Sequence, residues 1–336
     1  MFLKSIVRMT AALLLAASLS PVGLSAVRAA DTAKDYQRIV VLSDVHYGSK
    51  ETKDKALRAQ KMANKEKAVQ DINSWKDVDL CVFTGDMTQL AGGREEHRLA
   101  HELTDKVSHP KAFVAGNHEV VYSEVPEVDG KLQPADPYER MSHIGLYQES
   151  YGPLYYAKDM GHYLLLFLSP DEIEGHINAS GKPYAVELSQ AELTWLKAEL
   201  AANKNKPTLI FCHTPLNGTI LPDNSENQAR NFTAPVQDLH DILVKNPQVL
   251  VWASGHTHTP PTDPSFDNPI NYYAGTQVLD VYNPAWESDE IWTNSFYLYP
   301  DKIVIRTYSH KNQQWMPQFD RTIVLPAALK ASKRAA

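Results

Sequence analysis

Residues 38–46 read RIVVLSDVH. Four consecutive apolar residues run without alternation into Ser43, Asp44, Val45 and His46. A short unbroken run of this kind fits a strand buried on both faces, the habit of parallel sheets in α/β proteins. Cation-binding side chains follow the run at once. The same arrangement recurs along the chain. Residues 79–84 end in Gly85-Asp86, residues 111–115 in Gly116-Asn117-His118, residues 208–212 in His213, and residues 249–254 in Gly255-His256-Thr257-His258. Residues 163–169 form a sixth run. Helical patterns over 52–75, 93–107, 189–200 and 235–243 lie between these runs. The third opens with Ser189 and Glu192, spaced as a capping box. Alternating strands and helices imply a layered α/β fold.

Beyond residue 260 the pattern changes. Residues 270–274, 295–299 and 303–308 alternate and carry aromatic side chains, and the turn at 300–302 predicts a hairpin between the last two. No repeat or linker divides the chain, so one domain over 31–325 is expected, followed by a disordered basic tail over 326–336. Two long loops, 119–160 and 216–232, lie close to the polar run ends, where loops of that length usually carry function.

In open α/β sheets ligands bind beyond the carboxyl ends of the strands. Seven potential ligands stand there: Asp44, His46, Asp86, Asn117, His213, His256 and His258. Four of the 13 histidines are among them, and a fifth, His118, directly follows Asn117. Imidazole with carboxylate suits borderline divalent metals. Seven ligands exceed the needs of one ion but serve two ions that share an aspartate. Two such ions, two aspartates and a hydroxide leave a site of about +1 inside an acidic chain, a place that draws an anion such as a phosphate ester.

The ordered set Asp44-x-His46, Gly85-Asp86, Gly116-Asn117-His118, His213 and Gly255-His256-x-His258 resembles the calcineurin-like metallophosphoesterase superfamily. The resemblance implies a four-layer α-β-β-α sandwich of two mixed sheets, with a dinuclear metal site at the carboxyl ends of the central strands. It implies Asp44, His46, Asp86 and His258 around one metal and Asp86, Asn117, His213 and His256 around the other. A bridging water or hydroxide would attack phosphorus in line, and His118 would assist the leaving oxygen. Purple acid phosphatases in this superfamily place an iron-binding tyrosine three residues after the Gly-Asp pair. Here the series runs Gly85-Asp86-Met87-Thr88-Gln89, which disfavours a tyrosinate-iron centre and leaves Mn, Fe or Zn.

The expected activity is hydrolysis of a small-molecule or lipid phosphoester: a diester, a monoester or a pyrophosphate. Asn117 and His118, with Tyr122 and Arg230 in the two long loops, are the candidate substrate contacts. A metal-binding scaffold without turnover is the alternative, and the presence of all seven ligands with His118 weighs against it. A metallo-β-lactamase arrangement needs a His-x-His-x-Asp-His run, whereas His258 is followed by Thr259-Pro260.

With 43% hydrophobic and 22% charged residues the chain is globular in type. Its start differs: Lys4 and Arg8, an apolar run over 9–19 and small residues up to Ala30 read as a secretory signal peptide, cleaved after Ala29 or Ala30. Export to a periplasm or to the outside follows, with no stable membrane span once the segment is removed, because the run is short for a bilayer of ~30 Å. Losing Lys4, Arg8 and Arg28 makes the chain three charges more negative than its formal -7. An acidic chain with no basic stripe is not built for duplex nucleic acid. Nothing in the pattern sets an oligomeric state. Cys81 and Cys212 are expected as buried free thiols, too different in height along one sheet to pair. His97 and His101 read as a solvated helix face. Asn178, Asn217 and Asn231 each open an Asn-x-Ser/Thr triplet, relevant to glycosylating hosts alone.

Overall fold

Side chains alternate across a strand, so a strand covered on both faces needs apolar residues at every position. The first run shows where each half goes. Ile39 and Val41 enter one core, while Val40 and Leu42 enter another. The computed structural model describes residues 34–48, 53–125, 131–178, 181–287 and 290–331. The signal-peptide segment over 1–30 lies outside the described residues.

In chain order the elements are β1 (Gln37–Leu42), α1 (Lys55–Ser74), β2 (Leu80–Thr84), α2 (Arg94–Thr104), β3 (Lys111–Val114), α3 (Asn117–Val120), α4 (Pro137–Tyr151), β4 (Tyr156–Asp159), β5 (Leu164–Leu168) and α5 (Gln190–Ala202). There follow β6 (Thr208–Cys212), α6 (Val236–Val244), β7 (Val249–Ser254), β8 (Leu279–Tyr282), β9 (Trp292–Leu298), β10 (Lys302–Ser309), β11 (Gln314–Trp315) and β12 (Arg321–Val324). One sheet runs β11-β10-β9-β1-β2-β3, with β12 also on β10; the other runs β4-β5-β6-β7-β8. Both are mixed. Strands β1 to β3 and β5 to β8 are parallel, and β4 and the β9–β10 hairpin are antiparallel to their neighbours.

The inner faces of the two sheets meet through Val41, Val82, Phe167, Phe211, Val251 and Phe296. Outside the first sheet, Val40, Leu42 and Phe83 pack on Val69 and Ile72 of α1, Leu103 of α2 and Tyr147 of α4. Outside the second, Leu166, Ile210 and Trp252 pack on Leu193, Leu196 and Leu200 of α5 and on Leu239 and Ile242 of α6. This is the four-layer α-β-β-α sandwich.

Several expectations shift. The 119–160 segment is no loop, since it holds α3, α4 and β4. Residues 270–274 form no strand: Asn268 caps a 3-10 turn over Pro269–Asn271, and the fifth strand of the second sheet is Leu279–Tyr282 instead. Ser189 caps α5 through the Glu192 amide, but no reciprocal bond forms, because the buried Glu192 carboxylate accepts from the Ser169 amide instead. The chain stays tied in past residue 325. Ala327–Leu329 make a 3-10 turn, and Leu329 is buried in the inter-sheet core. Cys81 and Cys212 are buried free thiols, but they stand in different sheets and face opposite outer layers, not different heights of one sheet. Burial pushes both thiols up to about 12. His97 is buried against Tyr151 rather than solvated, and burial lowers it to about 4.

Candidate metal centre

The carboxyl ends of β1, β2 and β3 in one sheet and of β6 and β7 in the other come together, and the backbone turns sharply as it leaves them. Asp44 (φ 50°), His46 (φ 41°), Asp86 (φ 52°), His256 (φ 63°) and His258 (φ 50°) all lie in the left-handed region. Only one other described non-glycine residue, Gln313, does so. Such conformations cost L-residues roughly 1–3 kcal/mol and persist where the surroundings enforce them, commonly at working sites. Here the enforcement is visible. The Asp44 amide donates to the Gly85 carbonyl (3.2 Å), the His46 amide to that of Asp86 (2.8 Å) and the Gly255 amide to that of His213 (2.7 Å). Gly85, at φ 94°, lies so close to His213 that a Cβ there would stand 2.5 Å from its Nδ1.

The turns bring all seven sequence-predicted ligands together. His258 Nε2 lies 3.3 Å from Asp44 Oδ1. Asp86 Oδ2 lies 3.1 Å from His213 Nε2, 3.6 Å from His46 Nε2 and 3.9 Å from His118 Nε2. Asn117 Oδ1 is 3.0 Å from His213 Nε2. Ligand atoms of Asp44, His46 and His258 lie within 4.8 Å of one another, as do those of Asp86, His213 and His256. Asp86 therefore stands between two donor sets.

The imidazoles are aimed by their far sides. Nδ1 of His46 bonds the Thr88 carbonyl (3.1 Å), Nδ1 of His213 that of Thr84 (2.8 Å) and Nδ1 of His118 that of Leu90 (2.9 Å). A carbonyl can only accept, so in each ring Nδ1 carries a proton and Nε2 is the nitrogen turned inward, the orientation that metal-ligating histidines use. His256 is held the other way round. Its Nε2 meets Asn231 Oδ1 at 3.1 Å, leaving Nδ1 as the inward nitrogen.

The charges fit a cation site as well. Burial pushes Asp44 up, but His258 and His213 outweigh it and hold the carboxyl down to about 2. Asp86 is buried too, and His213, His118 and His46 hold it well below the usual carboxylate range. Burial disfavours the His213 cation, yet Asp86 and then Asp44 raise it to about 9. His46 is lowered to about 3 by burial. Two buried, ionised carboxylates thus draw positive charge, and protons on imidazoles meet the need only until divalent cations displace them.

Two further residues work here that carry no signal of their own in the sequence. Glu119 is fully buried behind Asp86, and its carboxylate accepts from the amides of Asp86 (2.8 Å), Thr88 (2.7 Å) and Gly116 (2.7 Å). It locks the turn after β2 to the turn after β3. Asn231 is fully buried and orients His256, so the Asn231 triplet is no glycosylation acceptor. Its place directly after Gly116-Asn117-His118 could have flagged Glu119; Asn231 had no comparable flag.

The two candidate substrate contacts from the long loops reach the rim. The Tyr122 ring packs edge-on against His118, 5.1 Å between centroids, and its hydroxyl is hydrogen-bonded to the Asn117 side chain. Arg230 donates from Nε to Asn231 Oδ1 (3.1 Å), and its charge bears on Tyr122.

Two stacked mixed sheets with a shared carboxylate between two His/Asp/Asn donor sets at their strand ends define the dimetal phosphoesterase class. The chain belongs to the calcineurin-like phosphoesterase family, whose model matches residues 37–260. The family uses two divalent metals. Solved structures share the fold. A dimetal phosphatase from Danio rerio is 16% identical, with TM-score 0.57 over 87% of this chain and 99% of that one. A purple acid phosphatase from yellow lupin (Lupinus luteus) is 12% identical, with TM-score 0.52 over 89% of this chain and 57% of its own length. GAP50, the anchor in the inner membrane complex of Plasmodium, is 14% identical, with TM-score 0.50 over 90% and 91%. No curated protein matches the sequence. No helix among the described residues is long and apolar enough to cross a membrane.

Proposed function

We propose that this chain is an exported hydrolase of phosphoesters working with two divalent ions of the Mn, Fe or Zn type. The observation that carries the reading is Asp86, whose Oδ2 lies 3.1 Å from His213 and 3.6 Å from His46, one from each donor set. Asp44, His46, Asp86 and His258 would hold one ion, and Asp86, Asn117, His213 and His256 the other. When bound, such a pair neutralises the phosphoryl oxygens and supplies a nucleophile at neutral pH.

The remaining work falls to this chain's own side chains. His118 sits at the edge of the cluster with Nδ1 tied to Leu90, so its Nε2 faces the centre and, in the imidazolium form, would give its proton to the departing oxygen. Arg230 engages Asn231 through Nε, which leaves its Nη groups for a phosphoryl oxygen. Tyr122 flanks His118 and would border the leaving group. The partner is a small-molecule or lipid phosphoester. Export, to a periplasm or outside the cell, rests on the basic start, short apolar run and small-residue end of residues 1–30.

The test is turnover of metal-loaded protein on a model monoester, diester and pyrophosphate, which also ranks the three substrate classes. His118→Ala should keep its full metal content and lose ~10²–10⁴-fold in turnover. Undiminished turnover would remove His118 from the mechanism, and no hydrolysis of any of the three by the loaded wild type would overturn the enzyme reading.

A further inference from the structure

Away from the strand ends, the described residues hold one more group of metal-ligating side chains whose ligand atoms lie within 4.8 Å of one another: Glu124, Glu139 and His143. Glu139 and His143 are one turn apart on a single face of α4. Glu124 comes from the segment after α3, which folds back on itself where Tyr122 pairs with Pro134 and Ser123 N bonds Gln133 O.

His143 is the unusual member. It is wholly buried, and neither ring nitrogen has a hydrogen-bond partner. A buried polar nitrogen left unmatched is costly and calls for an explanation. Its Nε2 points at Glu124 Oε1, 3.5 Å away, which is too far for a good hydrogen bond. Nearby His97 is likewise without a partner on either ring nitrogen, but among the described residues it belongs to no cluster of metal-ligating side chains. One Glu139 oxygen accepts from Ser123 Oγ (3.0 Å) and from the Glu124 amide (2.8 Å), so the second oxygen is free of those bonds.

We propose that Glu124, Glu139 and His143 form a third, single-ion site for a borderline divalent cation of the zinc type, separate from the strand-end pair. One imidazole and two carboxylates are a fitting donor set, and water completes the coordination. In a tetrahedral shell, ligand atoms ~2.1 Å from the ion stand ~3.4 Å apart, so the His143–Glu124 pair at 3.5 Å already fits and any wider pair in the group, all within 4.8 Å, must close by about 1.4 Å or less. Glu124, 57% exposed, is free to make that movement. The ion supplies His143 with its missing partner and ties the Tyr122 segment to α4. The site therefore borders the substrate rim without belonging to the catalytic cluster.

Equilibrium dialysis against micromolar Zn(II), followed by elemental analysis, tests the site on the wild type and on a Glu124→Gln/Glu139→Gln double variant. The expected result is one zinc per chain fewer in the variant. The difference decides, whatever the total: three falling to two if the strand-end pair fills, one falling to none if it does not. The failure of the two-metal reading is thus separable from the failure of this one. His143→Gln should lose the same single ion. The Glu double variant alters an exposed and a half-buried side chain, each keeping an amide oxygen as acceptor, and decides the matter if the buried substitution does not fold. Equal zinc in wild type and double variant would overturn the site and leave His143 and Glu124 as a plain ion pair.

Discussion

Asn231 belongs to none of the strand-end motifs, yet its oxygen meets His256 Nε2 at 3.1 Å and so selects which imidazole nitrogen faces the centre. Asn231→Ala should weaken divalent metal binding by ~10–100-fold, read by competition with a chromophoric chelator; unchanged affinity would show that His256 needs no such support. The convergence of the seven candidate ligands was legible in the sequence because each stands at or just past the end of an apolar run, where chain order and position in space coincide. Asn231 and Glu119 were not. Asn231 lies 25 residues from His256, and Glu119 lies 33 residues from the Asp86 amide it holds. Their roles exist only after the chain has folded.

At the scale of elements, α1 braces the centre from behind. Lys65 is fully buried, donates to the His46 carbonyl (3.0 Å) and pairs with Glu287, which Lys61 also approaches at 3.4 Å. Lys65→Met should remove about 3 kcal/mol from the unfolding free energy in urea, near the low end for a broken buried pair because Lys61 remains. A loss below about 1 kcal/mol would mean that α1 is held by its apolar face alone. The six buried strands were readable since unbroken apolar runs have few other fates, and β6 and β7 match the expected spans to the residue. The α4 helix was hidden, although its start signal was there: Asp136 caps the Glu139 amide and Pro137 opens the helix. Its many tyrosines resembled loop residues, while Tyr147 in fact enters the core. Likewise Tyr272 and Tyr273 imitated a strand, but Pro269 sets a 3-10 turn just before them.

For the whole molecule, the centre would join two sheets whose inner faces otherwise meet mainly through apolar side chains, with a few hydrogen bonds such as Phe113–Tyr156 and Asn294–Tyr282 between them, since its candidate ligands come from β1, β2 and β3 on one side and from β6 and β7 on the other. Cations bound there favour the folded state by mass action, ~4 kcal/mol per site at a thousandfold excess over Kd. Chelation of the loaded protein should therefore lower its Tm by on the order of 10 °C in a thermal scan. An unmoved Tm would mean that no ion is bound by the native fold. The formal charge of -7 makes this site a local exception in an acidic surface, so anionic ligands would be recruited at short range rather than steered from afar.

The left-handed corners at Asp44, His46, Asp86, His256 and His258 have a consequence for how this molecule can change. Glycine takes that backbone shape without steric strain, so variants selected for heat resistance in the absence of metal would drift toward glycine at these five addresses. The hardier clones would then be the inert ones, and ruggedness would be gained at the very positions where chemistry is surrendered.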